Sequence, residues 1–154
     1  MKEYISLEKE TKCNFEISEK RKQIWNIELD LLFKLDEVCK KYNLKYWLDG
    51  GSLLGAIRHK GFIPWDDDVD IVLLREDYLK LEKILCAMDD EEFVFHCGKT
   101  DKDYVNVFGK FRKKTGDTHV SNKRYDYYKY SGIGLDVFAI EKTNRISAVL
   151  GRFF

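Results

Sequence analysis

The run Trp65–Ile71, read WDDDVDI, has the residue types best suited to chemistry in this sequence. In an extended strand, alternate side chains point to one face about 6.5–7 Å apart. We therefore expect Asp66, Asp68 and Asp70 to share a face and Asp67 to point away. Carboxylates held together repel one another unless a cation neutralises them, and an all-oxygen set suits Mg²⁺ or Mn²⁺. The run predicts a divalent-metal site, and the alternative is a solvated acidic turn.

A further acid, Asp136, stands in the apolar run of residues 134–140. Its apolar neighbours in a strand would face one way and Asp136 the other. A carboxylate in a buried strand needs a partner. That partner is either a metal shared with Asp68 and Asp70, which would make all three catalytic, or a nearby lysine or arginine.

The turn Gly50-Gly51-Ser52 lies between a predicted strand, residues 44–48, and a predicted short helix, residues 53–58. Glycines let backbone N–H groups approach a phosphate, and a helix N-terminus attracts anions. The three residues are therefore candidate phosphate ligands, with Ser52 as the helix cap. An ordinary turn is the alternative.

Three basic residues are candidates for neutralising substrate phosphates: Arg58, Lys110 and Arg112. Alternation along residues 104–112 places Asn106, Lys110 and Arg112 on one face of a predicted strand. Cations beside a leaving phosphate stabilise the charge that develops there. Solvated surface side chains are the alternative interpretation.

The elements that must position these residues alternate between helix and strand. Helical spacing of apolar residues predicts a long helix from the N-cap Ser18 to a stop at Asn43, and another over residues 75–88. Strands are predicted over residues 44–48, 66–74, 93–97, 104–113 and 133–140. The pattern indicates an α/β or α+β fold in one domain, residues 18–154, after a loose lead-in over residues 1–17.

Composition excludes several classes of protein. The 154 residues are 44% hydrophobic, and 27 basic residues balance 27 acidic ones, so no overall charge attracts nucleic acid, although residues 123–130 mix basic and aromatic side chains. The four cysteines are scattered, which indicates buried free thiols in a reducing compartment. No signal-peptide core and no run of about 20 apolar residues is present, so we expect a cytoplasmic protein without a transmembrane segment.

The stretch Leu48–Ile71, LDGGSLLGAIRHKGFIPWDDDVDI, closely resembles the signature of the LicD-type phosphotransferase family, which includes fukutin-related proteins. The likeness extends over residues 24–138. Gly51 and Ser52 match the phosphate turn of the family, while four acids match its metal-binding set: Asp66, Asp68, Asp70 and Asp136. The resemblance implies a nucleotidyltransferase fold, a mixed sheet flanked by helices.

The resemblance also implies a reaction. A CDP-activated donor would transfer phosphocholine or a polyol phosphate to a glycan acceptor, with Mg²⁺ or Mn²⁺ as cofactor, in a protein that is peripheral at a membrane or free of it. Members of the family usually continue well beyond the strand of Asp136, so a C-terminally truncated form is expected. The alternatives are a nucleotidyltransferase that moves a nucleoside monophosphate from an NTP and a catalytically silent nucleotide-binding domain.

Overall fold

The computed structural model describes residues 3–114, 129–130 and 132–142. A five-stranded sheet has the order β3-β4-β7-β6-β5; β4 and β7 are parallel and the other neighbours antiparallel. The predicted mixed sheet with helices is therefore confirmed. The elements are β1 Glu10–Lys12, β2 Phe15–Ile17, α1 Glu19–Lys41, β3 Tyr46–Leu48, α2 Gly50–Arg58, β4 Asp70–Leu74, α3 Arg75–Ala87, β5 Phe93–His96, β6 Gly109–Lys113 and β7 Gly134–Ile140.

Helix α1 forms where the sequence predicts it. The Ser18 side chain caps it by accepting a hydrogen bond from the Arg21 N–H, and Lys40 and Lys41 stand in the last turn, where positive charge is favourable. The helix ends before Asn43, which takes a left-handed φ of 54°. At about 1.5 Å per residue, its 23 residues span about 34 Å.

One face of the sheet carries the hydrophobic core. Alternate residues of the strands point toward the buried stripes of α1 and α3, and Leu31, Leu35, Ile71, Leu81 and Val137 among them are at most 1% exposed. The same alternation sends the remaining strand residues to the opposite face. Candidate site residues lie on that second face.

Two strand predictions and one helix prediction were partly wrong. Residues 66–69 precede β4 without regular structure, so Asp66 and Asp68 do not lie on a strand with Asp70. Residues 104–108 lie outside β6, and Val107 is fully exposed. In the third case, helix α2 starts at Gly50, after the N-cap Asp49, so Ser52 is inside its first turn and does not cap it.

The lead-in predicted over residues 1–17 contains an antiparallel hairpin, β1 and β2. It is anchored because Ile17 is 1% exposed and Lys22 pairs with Glu10 at 3.3 Å. Three-residue strands carry too short an alternation to be recognised in a polar sequence.

The four cysteines are free, with Cys39 and Cys97 buried, Cys86 half-buried and Cys13 exposed. The expectation of buried thiols is thus wrong for Cys13. Among the described residues, no helix combines the length and apolarity needed to cross a bilayer. The basic and aromatic segment of residues 123–130 lies outside the described residues up to residue 128.

Candidate active site

Four polar side chains form a row across four strands on the face opposite the core. The register pairs Asp70 with Asp136, Asp136 with Lys110, and Lys110 with His96. Neighbouring strands lie about 4.8 Å apart, so paired residues present adjacent side chains. Asp70 and Asp136, 66 residues apart in sequence, thus become neighbours.

Electrostatic repulsion is concentrated around Asp70 and the neighbouring Asp68. Burial, and then the charges of Asp70 and Asp66, raise the pKa of Asp68 to about 6. Burial and the charge of Asp136 likewise raise the pKa of Asp70, although Lys110 opposes that shift. Carboxylates that resist ionisation for these reasons would be stabilised by a bound cation.

Lys110 neutralises Asp136. Its ammonium donates a short hydrogen bond to the Asp136 carboxylate, and the two side chains are 22% and 15% exposed. The sequence left two partners open for Asp136, a metal and a basic residue, and the structure shows the second. Lys110 lies on β6, which β7 separates from the strand of Asp70.

The turn Gly50-Gly51-Ser52, at the start of α2, packs closely against the acids. The Asp70 N–H donates to Ser52 Oγ at 2.9 Å, which ties α2 to β4. A Cβ at Gly51 would lie 2.4 Å from Asp66 Oδ2, so any other residue there would displace that carboxylate. Gly50 has a φ of +50°, which also favours glycine. All three predicted phosphate ligands therefore lie beside the acids. The Asp66 carboxylate is adjacent to the first turn of α2.

Helix α1 holds the acidic loop in place through residues that the sequence analysis did not single out. The Trp25 indole N–H donates to the Asp66 carbonyl at 2.8 Å, and its ring stacks on Phe62 with a centroid distance of 4.7 Å. The Arg21 guanidinium lies 3.8 Å from the exposed Asp67 carboxylate. Asp67 thus points away from the row, as predicted.

Glu28 is a buried acid behind this loop. It is 1% exposed, and among the described residues its Oε2 has no hydrogen-bond partner. Burial, followed by the charges of Asp68, Asp67 and Asp66, raises its pKa well above the ordinary value, with Arg21 opposing. A glutamate within the apolar stripe of α1 was the sequence signal for this residue.

A buried chain of hydrogen bonds supports Arg112 at the other end of the row. The His96 ring is fully buried, with Nε2 2.8 Å from Asp101 Oδ2 and Nδ1 3.0 Å from Arg112 Nη1. Because the carboxylate accepts and the guanidinium donates, His96 is neutral with its proton on Nε2. Burial first, and the charge of Arg112 after it, lower the pKa of His96, against the bond to Asp101. The chain orients Arg112, two residues along β6 from Lys110.

Arg58 does not join the other candidates. It ends α2, eight residues from Gly50, or about 12 Å along the helix. Its guanidinium is exposed and donates to the neighbouring His59 ring. Helix α2 therefore separates Arg58 from the acids.

The acids fit a hard divalent cation in chemistry. They offer only carboxylate oxygens, which suits Mg²⁺ or Mn²⁺, and two of them are neighbours in register. Their positions are not those of a formed site: within residues 3–114, 129–130 and 132–142, no three acidic, histidine or cysteine side chains are grouped so that they could hold one ion. Side-chain rotation, including release of Asp136 from Lys110, would be required.

Comparisons with known proteins give one family. The family model described as LicD/FKTN/FKRP, nucleotidyltransferase domain, matches residues 43–149. This range includes the turn, the acidic loop and β7.

Individual relatives agree with that match. An uncharacterized protein of Rickettsia prowazekii is 31% identical over 134 residues, 86% of this chain and 46% of the relative. The lipopolysaccharide cholinephosphotransferase LicD of Haemophilus influenzae is 52% identical over 50 residues, 32% of this chain and 19% of its own. The human ribitol 5-phosphate transferase FKRP is 43% identical over 101 residues, 62% of this chain and 19% of its own. The chain thus spans less than half the length of each.

Proposed function

Because this chain belongs to the LicD/FKTN/FKRP nucleotidyltransferase family, we propose that it is a metal-dependent phosphotransferase. It would move a phosphorylated alcohol, phosphocholine or a polyol phosphate, from a CDP-activated donor to a hydroxyl of a glycan. Two relatives support this reaction class, one named a cholinephosphotransferase and the other a ribitol 5-phosphate transferase.

The observation that carries the proposal is the alignment of Asp70, Asp136 and Lys110 on neighbouring strands, with Asp68 beside them. Two neighbouring carboxylates would repel a negatively charged diphosphate, even with the Lys110 ammonium beside them. A metal ion bound together with the diphosphate would remove this repulsion. A bound Mg²⁺ or Mn²⁺ would neutralise the diphosphate and favour departure of CMP. Asp68, Asp70 and Asp136 would hold that ion, and Asp66 would lie beside it.

The chain's own residues would then perform the transfer. The acceptor oxygen forms a bond to the donor's head-group phosphorus while the bond from that phosphorus to the bridging oxygen breaks, so that CMP leaves. Asp136 orients the acceptor hydroxyl or takes its proton. Lys110 and Arg112 place positive charge near the departing phosphate, and the turn at Gly51 and Ser52 holds phosphate oxygens.

Release of CMP tests this proposal. Purified protein is incubated with CDP-choline or CDP-ribitol, Mg²⁺ or Mn²⁺ and a mixture of glycan acceptors, and the nucleotide products are separated. We expect metal-dependent CMP release that is lost in Asp70→Asn. Asp67→Asn is the matched control, because that carboxylate faces Arg21 and solvent, and its activity should equal that of the wild type.

The same products separate the other candidate functions. Pyrophosphate release from CTP would indicate transfer of a nucleoside monophosphate in place of the proposed reaction. Metal-dependent binding of CDP-linked compounds without turnover would indicate a silent binding domain. Full activity of Asp70→Asn would refute the assignment of the acids.

A further inference from the structure

A second row of side chains crosses the sheet beside the polar row. Trp47 pairs with Val72 in the register of β3 and β4, and Val72 pairs with Phe138 in that of β4 and β7. Phe108 directly precedes β6, and its ring centroid lies 4.6 Å from that of Phe138. We call these four residues the aromatic row. Trp47 is 46% exposed and the two phenylalanine side chains are partly exposed, so the row has accessible apolar surface.

The aromatic row lies on the same face of the sheet as the acids. Val72 follows Asp70 by two residues on β4. Phe138 follows Asp136 in the same way on β7, and this spacing corresponds to about 6.5–7 Å along a strand. The intervening residue of β4, Ile71, is fully buried in the core on the other face. An apolar surface therefore adjoins the carboxylates that would hold the metal ion and the diphosphate.

We infer that the two phenylalanine rings of the aromatic row, Phe108 and Phe138, bind the base of the donor nucleotide by stacking. The inference rests on the proposed function, from which it takes the nucleotide donor and the place of the diphosphate, and it adds the residues that hold the base. Every nucleobase has an aromatic face, and stacking on an aromatic side chain strengthens binding whichever base is present. Phosphate and hydroxyl groups would find no hydrogen-bond partners on these rings.

Lys110 determines which part of the donor reaches the rings. It follows Phe108 by two residues, and its ammonium nitrogen lies 5.6 Å from the centroid of the Phe108 ring. In the proposed reaction, this ammonium stands near the departing phosphate of CMP. One ribose separates phosphate from base in CMP, a length comparable with the spacing of about 6.5–7 Å between alternate strand residues. A CMP phosphate beside Lys110 would therefore place the base over Phe108 and Phe138.

Calorimetric titration of the purified chain with CMP and with ribose 5-phosphate, each with Mg²⁺, tests the inference, because ribose 5-phosphate lacks the base. We expect CMP to bind about tenfold or more tightly than ribose 5-phosphate. Phe138→Leu and Phe108→Leu each keep an apolar side chain and remove one ring. Either substitution should lower the affinity for CMP about five- to tenfold and leave that for ribose 5-phosphate unchanged.

Phe33→Leu is the matched control. Phe33 is 48% exposed on α1, which packs on the other face of the sheet, and its ring stacks on Tyr4 at a centroid distance of 4.9 Å. The same substitution there should change neither affinity. Circular dichroism establishes that each variant is folded before it is titrated.

Equal affinity of the wild type for CMP and ribose 5-phosphate would overturn the inference. Unchanged CMP affinity in folded Phe138→Leu and Phe108→Leu would also overturn it. If these variants instead raised the KM for a glycan acceptor, or altered the mass measured by sedimentation, the rings would serve the acceptor or a second copy of the chain.

Failure of the proposed function gives a different result. Binding of CMP that depends on both rings, without CMP release from CDP-choline or CDP-ribitol, would leave the base site standing and refute the transferase. Metal-dependent CMP release by a protein that does not distinguish CMP from ribose 5-phosphate would refute the base site alone.

Discussion

Replacement of Lys110 by methionine tests whether the row of side chains across the sheet works as an electrostatic unit. The substitution keeps the apolar stem and removes the charge, leaving Asp136 15% exposed and adjacent to Asp70. Removing one partner of a buried ion pair costs about 3–5 kcal/mol. Because this pair retains some contact with water, we expect a loss of about 2–3 kcal/mol in the free energy of unfolding.

Thermal unfolding in EDTA measures this loss. For a domain of this size, it corresponds to a decrease in Tm of about 4–12 °C. Addition of Mg²⁺ should restore more of the Tm in Lys110→Met than it adds to the wild type, because the released Asp136 becomes a ligand without competition from the ammonium.

Lys113→Met is the matched control on the same strand. Lys113 pairs at 2.5 Å with Glu92, whose side chain is 58% exposed, and such a pair contributes about 0–1 kcal/mol. Equal stability of Lys110→Met and the wild type in EDTA would refute the electrostatic reasoning. An identical response of both proteins to Mg²⁺ would refute the part that concerns the metal.

Three further predictions concern pH and close packing. Burial and neighbouring carboxylates raise the pKa of Asp68 from 3.8 to about 6. The metal-free protein should therefore lose stability as the pH rises through this window. In measurements of Tm against pH, Asp68→Asn should remove that loss. Burial lowers the pKa of His96 below 6.5, so stability from this residue should fall as pH decreases through that value, and His96→Gln should flatten this part of the Tm profile. Gly51→Ala should displace the Asp66 carboxylate. Calorimetry should then show metal-dependent binding of CDP-choline weakened about tenfold, with little change in Tm. Gly98→Ala adds a methyl group in open space and should bind CDP-choline normally.

Controls and contrary outcomes are available for each. Asp67→Asn should keep the pH dependence of the wild type, since its carboxylate faces Arg21. A Tm of Asp68→Asn that still falls between pH 4 and 6 to the wild-type extent would contradict the raised pKa. If His96→Gln left the decrease in Tm at acidic pH unaltered, groups other than His96 would control that decrease. Normal donor binding by Gly51→Ala would show that the position of Asp66 is unimportant.

Local patterns in the sequence were sufficient for much of the fold. Helix α1 followed from the spacing of its apolar residues and its Ser18 cap, and β7 from an apolar run with one acid. Such patterns depend on neighbours within a turn or a strand. The β1–β2 hairpin was missed because its stability comes from Ile17 packing into the domain and not from an internal pattern.

The sequence by itself determined which residue types were available for chemistry: a glycine turn, four acids and two cations on β6. Alternation was enough to place Asp70 and Asp136 on a common face, once β4 and β7 were neighbours. It was not enough for Asp66 and Asp68, because residues 66–69 leave the regular strand and are held by contacts to α1.

Only the tertiary structure decided which residues are neighbours in space. The parallel register of β4 and β7 and the antiparallel register of β6 bring Lys110 to Asp136, while the length of α2 keeps Arg58 away. The burial of Glu28 likewise arises from the packing of α1 against the acidic loop, which is distant from it in sequence. Charge interactions depend on separation in space and on exclusion of water, and neither quantity is contained in local sequence.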